Sequence, residues 1–183
     1  REGEVTPVFV YTNYPTAELF INGKSYGKQS KNNSSLKSRY RLMWMDAVYE
    51  PGEVKVVAYN KDGKAVAEKT VRTAGKPHHI ELVSNRNELT ADGKDLAYVT
   101  VKVVDKDGNL CPTDSRLIHF SVKGAGKFRA VANGDPTNLE QFHLPKMHAF
   151  HGMLTAIVQA GEIAGDLVLT AKASGVKTGT VHL

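Results

Sequence analysis

The 183-residue chain is long enough for one large domain or two small ones, and its hydrophobic content of 41 % suffices for a buried core. The net charge of +5 is not gathered into a basic run interleaved with aromatic residues, which argues against nucleic acid as a partner. No apolar run reaches the ~18 residues that a membrane span needs. The single cysteine, Cys111, can form neither an internal disulfide nor a paired zinc motif.

Most segments in the first part of the chain alternate polar and apolar residues with the period of two that is typical of β-strands. Asn22-Gly23 follows the strand-like AELFI, and this dipeptide favours the positive φ angles of a tight hairpin turn. In SRYRLMWM (Ser38–Met45), the alternation predicts a strand with Tyr40, Leu42 and Trp44 on one face. Further strands are predicted at Val5–Thr12, Lys24–Gln29, Glu53–Asn60 and Ala65–Thr73.

The stretch Thr73–Pro77 interrupts this pattern because it is small, polar and ends in proline, as linkers often do. A second series of short strands follows it. We therefore predict an all-β fold of two immunoglobulin-like β-sandwich domains in tandem, with boundaries 1–75 and 76–183. The strands of the second series are predicted at His78–Ser84, Leu96–Asp105, Leu117–Gly124, Lys127–Gly134, His151–Ala160, Gly165–Ser174 and in the closing GVKTGTVHL.

Histidines are the first candidates for chemistry, and three of them fall in the long segment Asn133–Gly152. Their spacing contains neither HxH nor HxxxH, so it predicts no metal site on a strand or a helix. His78 and His79 are adjacent, and on a regular strand their side chains would point to opposite faces and could not bind one ion. We therefore expect solvated histidines and no metal or cofactor. The three histidines of the segment are His143, His148 and His151.

The same segment carries two acidic residues, Asp135 and Glu140, which raises the possibility of a glycosidase pair. The two acids of such a pair must face each other across the scissile bond at a fixed separation, and a loop alone supports that geometry poorly. The sequence therefore predicts no catalytic residue here. Because glycine and proline fix the backbone, we expect instead a structured loop that contacts a neighbouring domain or a glycan. Its candidate contact residues are Asn133, Asp135, Asn138, Glu140 and Phe142.

Aromatic side chains could also hold a sugar by stacking on it, provided that they are exposed. Trp44 is the candidate for such an aromatic contact. Its position in an alternating strand favours burial in a core over an exposed binding platform.

Several motifs together resemble a known family. ELFINGKSYG (Glu18–Gly27), YEPGEVKVVAY (Tyr49–Tyr59) and TVRTAG (Thr70–Gly75) resemble the domain that follows the catalytic barrel in bacterial family 2 glycoside hydrolases of β-galactosidase type. VANGDPTNLEQF (Val131–Phe142) and KMHAFHGMLTAIVQA (Lys146–Ala160) resemble the immunoglobulin-like C-terminal domain of those enzymes. The resemblance covers essentially the whole chain in the order that the family has.

The resemblance implies that the chain is a non-catalytic C-terminal fragment of a longer, retaining glycoside hydrolase. Its partners would be the catalytic barrel and N-terminal domains of the parent, and the β-glycan substrate. The catalytic glutamates would lie in that barrel, and the substrate would be a β-galactoside or, as family members differ, a glucuronide or mannoside. Periplasmic or extracellular placement is also implied. The chain begins without an initiator methionine or a signal-like layout, which agrees with the expectation of a fragment.

Two other functions remain open from the sequence. The fragment could be an independent carbohydrate-binding module that holds a glycan through exposed aromatic residues. It could also be part of a surface adhesin, because adhesins stack immunoglobulin-like domains in tandem.

Overall fold

The computed structural model of the protein describes residues 2–183. The chain divides into two compact units, of which the first ends at Thr73 and the second is Ala74–Leu183. Each unit packs two antiparallel sheets around its own hydrophobic core, which confirms the predicted all-β class of tandem sandwiches. Within residues 2–183, no helix has the length and apolar character to cross a membrane.

The first unit contains six strands and one short helix. These elements are β1 (Val8–Val10), β2 (Thr16–Ile21), β3 (Lys24–Ser30), α1 (Leu36–Tyr40), β4 (Leu42–Trp44), β5 (Glu53–Tyr59) and β6 (Ala65–Arg72). One sheet has the strand order β3-β2-β5-β6, and the other consists of β1 and β4 alone. The two sheets are therefore unequal in width.

The core of the first unit follows from the period-two pattern of β2. Ala17, Leu19 and Ile21 are buried and pack against Leu42 and Trp44 of the opposite sheet. The hairpin between β2 and β3 turns at Asn22-Gly23, where both residues have positive φ, 48° and 80°. This is the turn that the dipeptide predicts, because positive φ at both positions matches the twist of the two strands.

Ser38–Met45 was predicted as a single strand, and this prediction was wrong because its first residues form the end of α1. The Ser35 hydroxyl accepts a hydrogen bond from the backbone N–H of Ser38, and the Ser38 side chain accepts one from the Ser35 N–H. This reciprocal capping box stabilises one helical turn. Tyr40 consequently lies outside the strand and is 61 % exposed, so it does not share the buried face of Leu42 and Trp44.

The second unit is built from eight strands in two four-stranded sheets. They are β7 (His79–Ser84), β8 (Leu96–Val104), β9 (Leu117–Gly124), β10 (Gly126–Ala132), β11 (Lys146–His148), β12 (Met153–Ala160), β13 (Leu167–Lys172) and β14 (Gly179–His182). One sheet has the order β10-β12-β8-β7 and the other β11-β9-β13-β14. Alternate residues of β8 and β12, among them Val99, Val101 and Leu154, fill the space between the sheets.

Two buried carboxylates fix turns at one side of the second core. Asp105 is 2 % exposed and accepts hydrogen bonds from the backbone N–H groups of Gly75 (2.8 Å), Asp107 and Asn109. The Gly75 N–H has the largest lowering effect on the pKa of Asp105, followed by the side-chain amide of Asn109. Together with the other backbone N–H groups they hold this pKa far below its usual value. Asp114 binds the guanidinium of Arg116 through both oxygens, at distances between 2.6 and 2.9 Å.

Candidate functional site

The segment 133–152 begins directly after β10 and contains β11, so it is only partly a loop. β10 and β11 are edge strands of opposite sheets, and the residues between them therefore cross from one sheet to the other. β11 pairs with β9, with Met147 opposite Ile118. This strand was not predicted, because it is three residues long and only Met147 is buried. One apolar residue gives no period to detect.

The start of the segment is held by side-chain hydrogen bonds to its own backbone. Asn133 accepts one from the N–H of Asp135 (3.0 Å) and donates one to the carbonyl of His148 (3.0 Å). Asp135 accepts from the N–H and hydroxyl of Thr137 (2.8 and 2.7 Å). The Thr137 N–H is the largest influence that lowers the pKa of Asp135, and nearby His151 contributes as well. Asp135 therefore acts here as a turn-forming acceptor.

Glu140 and Asn133 together hold the backbone of β11. The Glu140 carboxylate accepts the N–H of His148 (3.1 Å) and lies 3.0 Å from its ring Nδ1, while Asn133 binds the carbonyl of the same residue. Asn138 accepts the N–H of Glu140 at 2.8 Å. Four of the five predicted contact residues thus shape the segment itself. They are Asn133, Asp135, Asn138 and Glu140.

The fifth predicted residue, Phe142, belongs to the exposed part of the segment. Its carbonyl accepts the N–H of Val131 at 2.8 Å, which fixes the backbone to β10, while its side chain is 55 % exposed. Leu139 is 96 % exposed. Exposed apolar side chains mark an interaction surface only where several of them are contiguous. Leu139 was not predicted as a contact residue, although a leucine among turn residues is a signal that the sequence contains.

The three histidines of the segment lie in separate environments. His148 pairs with Glu140, His151 Nδ1 lies 3.2 Å from the carbonyl of Pro112, and His143 is exposed. Among residues 2–183 no group of three or more His, Cys, Asp or Glu is arranged to hold a metal ion.

His78 and His79 do not diverge as a regular strand would require. Their Nδ1 atoms are 3.0 Å apart, and their rings meet edge to face. The prediction of opposite faces was wrong because β7 begins only at His79. His78 lies before the strand, where the alternation of side chains does not apply.

Trp44 lies in the core of the first unit and is 1 % exposed. Its indole N–H donates a 3.0 Å hydrogen bond to the carbonyl of Gly27 on β3. A ring enclosed in this way offers no face for stacking on a sugar, so the candidate aromatic contact is corrected to a core residue.

Comparison with protein families gives a match for each unit. Residues 80–182 match the model of the glycoside hydrolase family 2 C-terminal domain 5, which is more than half of the chain. The chain belongs to the family of glycoside hydrolase family 2 C-terminal domains. Residues 3–67 match a domain of unknown function, DUF4982. The two matches lie side by side, as the resemblance of the sequence predicts.

The curated relatives of this family 2 chain are much longer than the chain itself. A β-galactosidase of Bacteroides ovatus is 42 % identical over 94 % of the chain, which spans 20 % of that protein. A β-galactosidase of Thermoanaerobacter pseudethanolicus is 30 % identical over 90 % of the chain, which spans 22 % of it. The chain therefore spans about a fifth of the length of these relatives.

Solved structures agree with the fold of this family 2 chain. A β-glycosidase from Bacteroides vulgatus superposes with a TM-score of 0.91 at 29 % identity, and the match covers the whole chain and 23 % of that enzyme. A family 2 member from Bacteroides cellulosilyticus superposes with a TM-score of 0.87 at 33 % identity, over the whole chain and 24 % of that enzyme.

Proposed function

We propose that the chain is the non-catalytic C-terminal part of a β-galactosidase-type glycoside hydrolase, and that it supports a catalytic domain located elsewhere in a longer polypeptide. The observation that carries this proposal is the 42 % identity over 94 % of the chain to a β-galactosidase of which the chain spans only 20 %. In this proposal the longer polypeptide hydrolyses β-galactosides with retention of configuration, through carboxylates outside residues 1–183. It acts in the periplasm or outside the cell.

Within this function, the segment 133–152 is a contact surface for another domain of the longer polypeptide. Asn133 and Glu140 hold its backbone through His148, so little conformational entropy is lost when a partner binds. Leu139 and Phe142 supply the apolar area. The predicted contact residues then divide into those that shape the surface and Phe142, which touches the partner.

The contact is tested by placing serine at Phe142 in the longer polypeptide and in the 183-residue chain. Ile163→Ser is the matched control, because Ile163 is an apolar residue of the second unit that is 81 % exposed. We expect Phe142→Ser to lower the melting temperature of the longer polypeptide by several degrees more than the control does. In the 183-residue chain both variants should melt close to the wild type. Equal shifts of the two variants in the longer polypeptide would exclude the contact.

A β-glucuronide is the second candidate substrate of the longer polypeptide. The observation in its favour is a putative β-glucuronidase of Formosa agariphila that is 31 % identical over 74 % of the chain, which spans 13 % of it. Turnover of p-nitrophenyl β-galactoside and p-nitrophenyl β-glucuronide by the longer polypeptide distinguishes the two. Higher kcat/KM on the glucuronide would overturn the assignment to galactosides.

A further inference from the structure

The inner face of the four-stranded sheet in the first unit is covered at one side and open at the other. Ile21 on β2, Val54 on β5 and Val71 on β6 lie opposite one another on this face. Ile21 is 4 % exposed, Val54 is half-buried and Val71 is 62 % exposed. The exposure rises from β2 to β6, so the covering layer ends above β5.

The covering sheet is too narrow because it contains only β1 and β4. β4 packs over β3 and β2, and the bond from Trp44 Nε1 to the Gly27 carbonyl closes that side. β1 therefore lies toward the middle of the wider sheet. Among residues 2–183, β1 pairs with β4 only, which leaves its other edge without a strand partner.

The uncovered region forms a groove of ≈ 400 Å³. β1 and the two residues after it line one side of the groove, and Val54, Val56 and Val71 are part of its apolar floor. A free strand edge beside an apolar sheet face provides what strand addition needs, because backbone hydrogen bonds and side-chain burial are then both available.

We propose that an extended strand from the part of the parent polypeptide outside residues 1–183 pairs with the free edge of β1 and covers the inner face of β6. This proposal rests on the proposed function for the existence of a longer polypeptide. The chain spans 20 % of the β-galactosidase of Bacteroides ovatus, so most of the length of that relative is available to supply such a strand.

The floor of the groove defines the chemistry of the added strand. Its inward side chains are apolar where they meet Val54 and Val71, with the period of two that pairing with β1 imposes. Lys69 lies on the same face, opposite Val56, and makes no salt bridge with any of residues 2–183. One acidic side chain at that level of the strand would neutralise its charge.

Hydrogen–deuterium exchange tests the proposal on two wild-type proteins, so the result does not depend on whether a variant folds. The amides of residues 8–11 and of β6 are compared between the 183-residue chain and the longer polypeptide. We expect them to exchange at least tenfold more slowly in the longer polypeptide, because a paired and covered strand opens less often. Equal exchange rates in the two proteins would overturn the proposal.

Val71→Asp and Val66→Asp form a matched pair of variants, because Val66 lies on the same strand, is 40 % exposed and does not line the groove. In the longer polypeptide, Val71→Asp should lower the melting temperature while Val66→Asp does not. In the 183-residue chain both should be close to neutral. Equal effects in the longer polypeptide would refute the docking.

Two further results separate the proposal from its alternatives. If light scattering finds the 183-residue chain to be a dimer that Val71→Asp dissociates, the groove binds a second copy and the proposal is wrong. If the longer polypeptide protects β1 and β6 but hydrolyses no aryl β-glycoside, the added strand is supported while the proposed function fails.

Discussion

Replacing Met147 with alanine tests whether the segment 133–152 is anchored in the second core through β11. Met147 is fully buried between the two sheets. The substitution removes two carbon atoms and the sulfur, which corresponds to about 2.4 kcal/mol of transfer free energy at ~0.8 kcal/mol per methylene-sized group. A residual cavity raises the loss in unfolding free energy to about 3 kcal/mol. For a unit of about 110 residues, this lowers the Tm by about 13 °C.

Leu139→Ala is the control for this prediction, because Leu139 lies in the same segment and is 96 % exposed. Its effect on the unfolding free energy should stay within about 0.5 kcal/mol, or about 2 °C. Differential scanning calorimetry on the 183-residue chain and its two variants measures the difference. If Met147→Ala melts within 3 °C (roughly) of Leu139→Ala, β11 is not an anchored strand and the account of the segment is refuted.

Three further predictions concern the turns of the second unit. Asp114→Asn should lower the free energy of unfolding in urea by about 2 kcal/mol. This is less than the ~3–5 kcal/mol lost when a fully buried pair is broken, because the Arg116 side chain is 22 % exposed. An unchanged urea midpoint would contradict this prediction. Because the pKa of Asp105 is lowered in the folded state, its ionised carboxylate stabilises the fold above the unfolded pKa of about 3.9. This stabilisation is lost progressively as the pH falls below that value. Asp105→Asn should therefore be less stable than the wild type at pH 7, with the difference shrinking below about pH 4; a difference independent of pH would argue against it. Burial raises the pKa of the Cys111 thiol, so a thiol reagent should modify it only in denaturant, and rapid modification of the native chain would show that it is accessible.

The fold was largely predictable because its signals are local. β9 has the predicted bounds Leu117–Gly124, since eight residues carry the period-two pattern. The Asn22-Gly23 turn follows from the conformational preference of two residues. α1 was missed because a serine capping box outweighs the alternation in SRYRLMWM.

The candidate sites were less predictable because they depend on contacts between distant residues. The bond from Asn133 to His148 joins residues on opposite sheet edges, and no local pattern encodes it. The exposure of Val71 likewise results from the width of the opposite sheet and not from its own strand. Alternation predicts which face a residue occupies, but not whether another layer covers that face.

The assignment of this chain as a non-catalytic part of a longer enzyme is tested by hydrolysis of p-nitrophenyl β-galactoside, measured on the purified 183-residue chain beside the longer polypeptide. We expect turnover by the longer polypeptide and no nitrophenol release above buffer by the chain alone, because the proposed function assigns the catalytic carboxylates to a domain outside residues 1–183. Turnover by the chain alone that disappears in Asp135→Asn or Glu140→Gln would show that these residues are catalytic and that the assignment is wrong.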